Sequence, residues 1–304
     1  MAADLSRAAG FIRKNQNPDG GWGYEPGRQS LVEPAALCAL ALGAAGDEAA
    51  AARGLAFLRS CLNPGGAVGL GPGDEDGNWM AYAALLAFHA LGAPKEERRL
   101  RAWILAFEDA SGRYSKTDLA EIAARFRYDA SIPGWGWTPR TTAWVEPTAL
   151  FVLALRRTGT AATEKRIRSG VALILDRRVP SGGWNFGNPF SKSFELEATA
   201  MSTALALAAL GAAGLPEDHA AVAAGLRCLE DRLAGNVSTA TLAWSALALT
   251  CFAGRAARAR DAASRLARLQ AADGGFRANL FETALSYLVL AGAPILAPAA
   301  GRDR

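Results

Sequence analysis

The sequence predicts an all-α fold of the (α/α)6 toroid class, with six inner and six outer helices. Three observations lead to this prediction: an internal repeat, an alternation of polar and apolar helical segments, and the weakness of strand patterns. The chain has 304 residues, of which 51% are hydrophobic, which suffices for one large core. Polar and apolar residues do not alternate over any long stretch, so strands are not expected. We therefore predict a single toroid domain over residues 1–304.

An internal repeat is the strongest of these observations. Trp22–Leu42 aligns with Trp135–Leu155 at a constant offset of 113 residues, and 11 of the 21 aligned positions are identical. A pattern of Gln, two further residues, Asp-Gly-Gly and an aromatic residue occurs in Gln16–Trp22 and again in Gln270–Phe276. Ser181–Phe190 is a third related segment. Each copy leads into a segment rich in Ala and Leu.

Six apolar helical segments are predicted, and a more polar segment precedes each. The apolar segments begin near Glu33, Asn78, Glu146, Glu197, Val237 and Phe281, and the polar ones lie near residues 3–15, 46–61, 96–109, 161–177, 217–233 and 255–270. An amphipathic helix buries one stripe, whereas an apolar helix must be covered on every side. Six such pairs indicate an outer ring around an inner ring. An insertion at residues 111–132 explains the longer spacing between the second and third pairs.

Charge and cysteine content narrow the function classes. The net charge is +4, and basic clusters at residues 95–101, 165–168 and 255–268 fall within helical patterns. We interpret them as solvated outer faces and expect no nucleic-acid partner, because exposed aromatic residues are not interleaved with them. The four cysteines lie far apart in apolar stretches without a CxxC pair. That pattern predicts reduced thiols in a cytosolic protein.

The N-terminal residues and two uncharged stretches bear on membrane association. Residues 1–14 lack the apolar core of a secretory signal. Residues 198–216 and 235–254 are uncharged and long enough for a membrane span, but they are rich in Ala, Gly, Ser and Thr. We interpret both as buried inner helices and expect a cytoplasmic location. Peripheral contact with a membrane and the oligomeric state are left open.

The N-terminal repeat resembles a known family motif. Residues 7–22 read RAAGFIRKNQNPDGGW, which is similar to the QW motif of squalene and oxidosqualene cyclases. The motif positions are filled in order by Arg7, Ala8, Phe11, Ile12, Gln16, Gly20 and Trp22. With its degenerate copies, the chain resembles the superfamily of terpenoid cyclases and protein prenyltransferase β-subunits. The resemblance implies a toroid whose inner ring holds an isoprenoid, and a structural role for the Gln and Trp positions.

The resemblance offers zinc-dependent protein prenylation as one activity. In the family this site is built from Asp, Cys and His, and zinc requires three or four converging ligands. The sequence contains only His89 and His219 and has no Asp-x-Cys pair. We interpret His89 as a core histidine and His219 as a surface one. We therefore do not expect zinc chemistry, and we assign no metal site and no cofactor.

Protonation-initiated cyclisation is the other activity that the resemblance offers. Class II cyclases of the family protonate an alkene or epoxide from the third position of an Asp-x-Asp-Asp motif. The nearest match is Asp74-Glu75-Asp76-Gly77, in which Asp76 takes the place of the proton donor and Asp74 that of the first Asp. Gly77 stands where the last Asp belongs. Asp76 and Asp74 are thus the candidate catalytic residues, and a solvated acidic loop is the alternative interpretation.

Aromatic residues and glutamates before the inner helices are candidates for contact with a ligand. The set contains Tyr24, Trp79, Trp135, Trp137, Trp184, Phe186, Glu146 and Glu197. In the cyclases, aromatic faces stabilise carbocations. Packing between repeats is the alternative for the rings. For the glutamates, with Glu33 and Glu282, the alternative to binding a cation, sugar or basic peptide is helix capping.

Three functions are consistent with these patterns. The first is an isoprenoid-acting enzyme, most plausibly a cyclase-like isomerase, and the second is a non-catalytic toroid that binds an isoprenoid or another apolar molecule. The third is a carbohydrate-active (α/α)6 enzyme with paired carboxylates and aromatic platforms. The QW-like motif argues against the third function. The missing zinc ligands and the incomplete acid motif favour binding over catalysis.

Overall fold

The computed structural model describes residues 3–293, and this range contains 13 α-helices. They are α1 (Leu5–Lys14), α2 (Val32–Ala44), α3 (Glu48–Ser60), α4 (Ala81–Ala90), α5 (Pro94–Ala106), α6 (Lys116–Phe126), α7 (Val145–Thr158), α8 (Glu164–Asp176), α9 (Ala200–Ala212), α10 (Ala220–Leu233), α11 (Thr239–Thr250), α12 (Ala256–Ala267) and α13 (Leu280–Leu290). Strands β1 (Phe190–Ser191) and β2 (Phe194–Glu195) form a short antiparallel hairpin, with Phe190 opposite Glu195. The all-α prediction is confirmed.

The predicted alternation of polar and apolar helices is present. The apolar members are α2, α4, α7, α9, α11 and α13, and the polar helices that precede them are α1, α3, α5, α8, α10 and α12. Helix α6 lies inside the predicted insertion. The starts of α9 and α11 fall later than predicted, where the Thr199 and Ser238 hydroxyls accept hydrogen bonds from the amides of Ser202 and Thr241. Such caps satisfy backbone N–H groups that a helix start leaves unpaired.

The described residues divide into two compact units. The first contains residues 3–106 and 260–293, and the second contains residues 107–259. In the first unit, α2 packs against α3, α4 and α13, and α1 packs against α13, so the last helix lies beside the first. In the second unit, α9 packs against α7, α10 and α11, and α7 against α8. The single-domain organisation stays a prediction.

Two apolar stretches of membrane-span length fold as α9 and α11, and most of their residues are buried. Within residues 3–293, every helix falls short of the length and hydropathy that a membrane span requires.

One backbone hydrogen bond recurs between repeats. The first residue of an inner helix donates its N–H to a carbonyl in the turn of the following repeat. The donor–acceptor pairs are Leu280–Tyr24 (2.7 Å), Val32–Leu70 (3.0 Å) and Val145–Phe186 (3.0 Å). Because the first of these joins the last repeat to the first, the first unit links the two ends of the repeat series.

The two Gln positions of the repeated turn also connect helices. The Gln270 amide accepts a hydrogen bond from Asp4 N at 2.7 Å and donates one to Asp4 O at 2.8 Å. The Gln16 amide donates to Ala50 O in α3 at 3.0 Å. Gly274 follows Asp273 with a φ of +92°, and a Cβ there would lie 2.3 Å from a carbonyl oxygen of α1. Glycine is therefore required by both its backbone angle and its close approach.

Three buried tryptophans set the distance between inner and outer helices. Trp22, Trp135 and Trp184 are fully buried. Each lies against a glycine of the following outer helix: Gly54 in α3, Gly170 in α8 and Gly225 in α10. A Cβ on these glycines would lie 2.8, 2.9 and 2.5 Å from the respective indole ring. The indole N–H groups of Trp22 and Trp184 donate to carbonyls of Ile12 and Ile174 at 2.8 and 2.6 Å. These contacts support the structural role expected for the Trp positions.

Arginines of the second unit hold the insertion. The Arg177 guanidinium lies 3.4 Å from the centroid of the Tyr128 ring and is almost fully buried. The Arg166 guanidinium lies 3.9 Å from the Trp135 ring and donates to Phe107 O at 3.1 Å. Cation–π contacts gain strength when they are shielded from water. Arg177, directly after α8, thus contacts the insertion at Tyr128, and Arg166, in the first turn of α8, contacts the residues that flank the insertion.

We expect that Gly54→Ala and Gly225→Ala each lower the free energy of unfolding by about 1–3 kcal/mol, because the added methyl group overpacks the indole contact. Gly10→Ala in α1 is the matched control, since a Cβ there meets no atom within 4 Å. That variant should gain about 0.5–1 kcal/mol from helix propensity. Urea denaturation measures all three. Equal stabilisation of all three variants would contradict the packing role of the glycines.

Candidate functional site

A carboxyl group and several aromatic rings meet at the N-terminal ends of α2 and α4 in the first unit. Glu33, in the first turn of α2, is only 4% exposed. Its Oε2 accepts a hydrogen bond from the Tyr24 hydroxyl at 2.5 Å, and its Oε1 accepts one from the Tyr82 hydroxyl at 2.8 Å. The carboxyl group therefore joins the loop before α2 to helix α4.

The local sequence explains this position. Pro34 lies in the first turn of α2, where its missing N–H costs no hydrogen bond, and the helix N-terminus favours the negative charge of Glu33. The arrangement partly recurs in the second unit. There Glu146, in the first turn of α7, accepts a hydrogen bond from the Ser202 hydroxyl of α9 at 2.7 Å. In both cases the hydroxyl comes from the start of the next inner helix.

Three partly exposed rings surround the buried pair of Glu33 and Tyr82. Trp79 stacks on Tyr82 with 6.2 Å between ring centroids and 13° between ring planes. Phe281, in the first turn of α13, lies 5.9 Å from Tyr24. Tyr24, Trp79 and Phe281 each retain some exposed surface. We call these five residues the aromatic–carboxyl cluster; its carboxyl group is buried, and three of its rings are partly exposed.

Burial controls the protonation of this cluster. Desolvation raises the pKa of Glu33 to about 7, although the hydrogen bonds from Tyr24 and Tyr82 oppose the change. Burial and the neighbouring Glu33 charge raise the pKa of both tyrosines, so the hydroxyls remain donors at neutral pH. Burial also raises the pKa of Glu146, and the Ser202 hydrogen bond opposes it. At pH 7 Glu33 therefore occurs in both protonation states.

The predicted catalytic aspartates lie in the loop between α3 and α4. The Asp76 side chain is exposed, and Asp74 is partly exposed. The Asp74 carboxylate accepts hydrogen bonds from Leu70 N at 2.7 Å and Asp76 N at 3.0 Å, which organises the loop. A Cβ on Gly77 would lie 2.3 Å from the Trp103 ring, so the last Asp of the family motif does not fit there. The acid role of Asp76 stays a prediction.

The other predicted aromatic residues are in the second unit. Trp135 and Trp184 use their rings in packing against the outer helices, as described above. Trp137 is partly exposed, and Phe186 is 59% exposed. Contact of these four side chains with a ligand stays a prediction.

Glu197 differs from the other glutamates. Its side chain is 89% exposed and lies 3.7 Å from Arg232. Thr203 in α9 and Thr148 in α7 are equivalent, because each hydroxyl forms hydrogen bonds with the backbone N and O of its repeat's tryptophan, Trp184 or Trp135. Glu146 lies two residues before Thr148, so its counterpart in α9 is Met201. The loop before α9 is longer than the loop before α7, and sequence spacing alone does not reveal this change.

Sequence reasoning missed part of the cluster. Tyr82 lies in the apolar helix AYAALLAFHA. Its hydroxyl is the one polar side-chain group in the first turn of that helix, and it is the signal from which the contact with Glu33 could have been predicted. The sequence indicates a helix start at Phe281, and the structure adds the contact of its ring with Tyr24.

The histidines are not part of the cluster. His89 is exposed and lies 3.3 Å from Glu97, so its interpretation as a core histidine is wrong. It follows the last buried residue of α4 and therefore reaches solvent. His219 is exposed, as predicted. Across residues 3–293, no three His, Cys, Asp or Glu side chains converge on one point as a metal ion would require.

The raised pKa of Glu33 predicts a pH-dependent stability. Its folded-state pKa lies above the ordinary value of 4.5, so this group stabilises the fold at low pH, and that stability is lost as the pH rises from about 4.5 through about 7. A difference of about 2.5 pKa units corresponds to about 3 kcal/mol. In urea denaturation, the free energy of unfolding of the Glu33→Gln variant should fall less over this pH range than that of the wild type.

The exposed-loop variant Asp76→Asn is the control and should keep the wild-type pH dependence. An unchanged pH profile in Glu33→Gln would show that Glu33 does not carry the effect.

No protein-family model matches the sequence, and no curated protein matches it. Solved structures share its fold. The type II terpene cyclase MstE from Scytonema in its apo form is 16% identical with a TM-score of 0.65, and the match covers 96% of this chain and 98% of that chain. An MstE variant in complex with geranylgeranyl dihydroxybenzoate, its substrate, is 17% identical with a TM-score of 0.64 over 96% and 97% of the two chains.

A glycosidase variant in complex with glucose shares the fold as well. It is 15% identical with a TM-score of 0.62, and the match covers 97% of this chain and 98% of that chain. At such identities the likeness concerns the fold and not the chemistry. The predicted all-α toroid class is therefore confirmed, in a form that is similar to terpenoid cyclases and to glycosidases.

Proposed function

We propose that this chain binds an isoprenoid at the aromatic–carboxyl cluster of its first unit. The observation that carries the proposal is the set of partly exposed rings, Tyr24, Trp79 and Phe281, that accompanies the buried Glu33 carboxyl group. Ligand sites for apolar molecules are lined mostly by hydrophobic and aromatic groups, with a few polar groups that orient the ligand. The cluster has this composition.

The shared fold supports the same ligand class. The substrate in the MstE complex is an isoprenoid that carries a polar dihydroxybenzoate group. An isoprenoid with a polar end suits the cluster here, because the rings offer apolar contact and the Glu33 carboxyl group with its two phenol partners offers polar groups. The ligand itself is part of the proposal.

Binding is better supported than protonation-initiated cyclisation. Alkene protonation requires a strong Brønsted acid held in the protonated state. Asp76 is exposed, and the Trp103 ring beside Gly77 leaves no room for the last Asp of the family motif. Glu33 is protonated in part of the molecules at pH 7, and a carboxyl group whose pKa is about 7 is a weaker acid than an ordinary one. Neither group meets the requirement.

Carbohydrate hydrolysis is the second candidate. A glutamate with a raised pKa is the usual general acid of glycosidases, and Glu33 and Glu146 are inner-helix carboxyl groups with raised pKa values. Against it, both oxygens of Glu33 are already held by phenol groups and the side chain is buried. A glycosidic oxygen would have to displace one of those hydrogen bonds. The geometry therefore supports isoprenoid binding best.

The first test is binding of geranylgeraniol, followed by tryptophan fluorescence. The wild type should bind it, and Phe281→Ala or Trp79→Ala should weaken binding about 5–10-fold, as expected for the loss of one aromatic contact of about 1–1.5 kcal/mol. Phe194→Ala removes a 74% exposed ring of the β1–β2 hairpin and should leave the affinity unchanged. Binding of maltose in place of geranylgeraniol would support the carbohydrate alternative and refute the proposal.

The second test separates binding from cyclisation. Protonation of an alkene in D2O, followed by loss of a proton elsewhere, places one deuterium in each product molecule. We expect geranylgeraniol to be recovered from the protein in D2O without deuterium or rearrangement, as measured by mass spectrometry. A deuterated cyclic product that disappears in the Asp76→Asn variant would instead establish Asp76 as the acid.

A further inference from the structure

A cavity of about 380 Å³ lies beside the aromatic–carboxyl cluster in the first unit, between loop 25–28 and loop 277–279. We infer that this cavity binds an anionic head group, a phosphate or a carboxylate, so that the ligand is an isoprenoid with a charged end. The inference rests on the proposed isoprenoid binding and specifies which isoprenoids bind.

The side chains of the cavity favour an anion. Arg28 and Arg277 lie on opposite loops, and Glu25 is the acidic side chain among the lining residues. Arg28 lies 3.6 Å from Glu25, with both side chains largely exposed. Arg277 forms no ion pair with any other residue in the range 3–293. A planar guanidinium group matches phosphate and carboxylate oxygens, so Arg277 has its donors available for a ligand.

The two walls of the cavity are joined to each other. Leu280 N, at the end of one loop, donates to Tyr24 O, at the start of the other, at 2.7 Å. Asn279 N donates to Phe276 O at 3.0 Å, and the Asn279 side chain accepts from Glu282 N at 2.9 Å. These bonds hold the loop 277–279 in shape, so an anion would meet walls that are already in place. A preformed site reduces the ordering cost of binding.

The residues that line the cavity are neighbours in sequence of two residues of the proposed isoprenoid site. Tyr24 directly precedes Glu25 in one loop, and Phe281 follows Asn279 by two residues. The Tyr24 and Phe281 rings lie 5.9 Å apart, and the hydrogen bond from Leu280 N to Tyr24 O joins the two loops between which the cavity lies. A ligand whose charged end sits between the arginines can therefore lay its first apolar carbons against the two rings.

The repeat provides an internal comparison. The loop of the third repeat aligns with loop 25–28 at the offset of 113 residues, which places Thr141 opposite Arg28 and Thr138 opposite Glu25. Glu25 and Arg28 are therefore not part of the pattern that the two repeats share and that builds the fold. Of these two repeats only the first has the charged residues, which fits a role in recognition.

Isothermal titration with geranylgeranyl phosphate, geranylgeraniol and inorganic phosphate tests the inference. The wild type should bind geranylgeranyl phosphate about 5–10-fold more tightly than geranylgeraniol, since two exposed ion pairs each contribute modestly. The double variant Arg28→Gln/Arg277→Gln should lose this preference, and added salt should reduce it in the wild type. Glu25→Gln should increase it about 2–3-fold by removing the competing carboxylate.

Lys95→Gln/Arg98→Gln is the matched control. It removes the same two positive charges from exposed positions of α5, outside the cavity, and should keep the wild-type preference. Equal affinity of the wild type for the two isoprenoids, or a preference that persists in the double variant, would overturn the anion site and leave the proposed function standing.

Failure of both isoprenoids to bind would refute the proposed function. In that case the titration with inorganic phosphate tests separately whether the cavity binds an anion. Phosphate binding to the wild type that is lost in the double variant would support an anion site that takes free phosphate. Absence of phosphate binding in that case would overturn it.

Discussion

The inner helices have no polar face, and the rest of the structure depends on this constraint. In α2 every residue from Val32 to Leu42 is buried, and α9 and α11 are buried almost as completely. A helix of this kind must be covered on all sides, which requires a close outer helix. The approach of each indole ring to an outer-helix glycine meets that requirement, and the same contact recurs at Trp22, Trp135 and Trp184. Polar side chains are tolerated mainly at the helix starts, where loops and caps satisfy them.

The candidate site is a consequence of the same constraint. Glu33 lies at a helix start and is buried by its neighbours, so its charge loses the solvation of water. The hydroxyls of Tyr24 and Tyr82 offset part of that cost, and the balance leaves the pKa near neutrality. A carboxyl group in this state can exchange a hydrogen bond with a polar ligand group, but it is a weak proton donor to an alkene. The rings around it extend the apolar surface, which fits a molecule that is apolar along most of its length.

The site was harder to predict than the helices because it depends on loop lengths and on contacts between distant segments. The spacing of Glu33 and Glu146 was read as a series that Glu197 continues, yet the longer loop before α9 puts Met201 in that place. The acidic sequence Asp74-Glu75-Asp76 had the composition of a catalytic motif, but the Trp103 ring beside Gly77 is invisible in the sequence. Tyr82 belongs to an apolar helix, and only the packing of α4 against α2 brings its hydroxyl to Glu33.

The sequence by itself determined the all-α class, the six polar–apolar pairs, the insertion, and the turns that join the repeats. These follow from periodicity, glycine and proline positions, and self-similarity, which are local properties of the chain. Only the tertiary structure decided which side chains share one environment: the carboxyl group of Glu33 with two phenols, and Arg28 with Arg277 at one cavity. Residues 28 and 277 lie near opposite ends of the sequence, and the backbone hydrogen bond from Leu280 N to Tyr24 O joins their loops. Burial and proximity of this kind are produced by the packing of the helices, so the tertiary structure sets the pKa of Glu33 and the charge of the cavity.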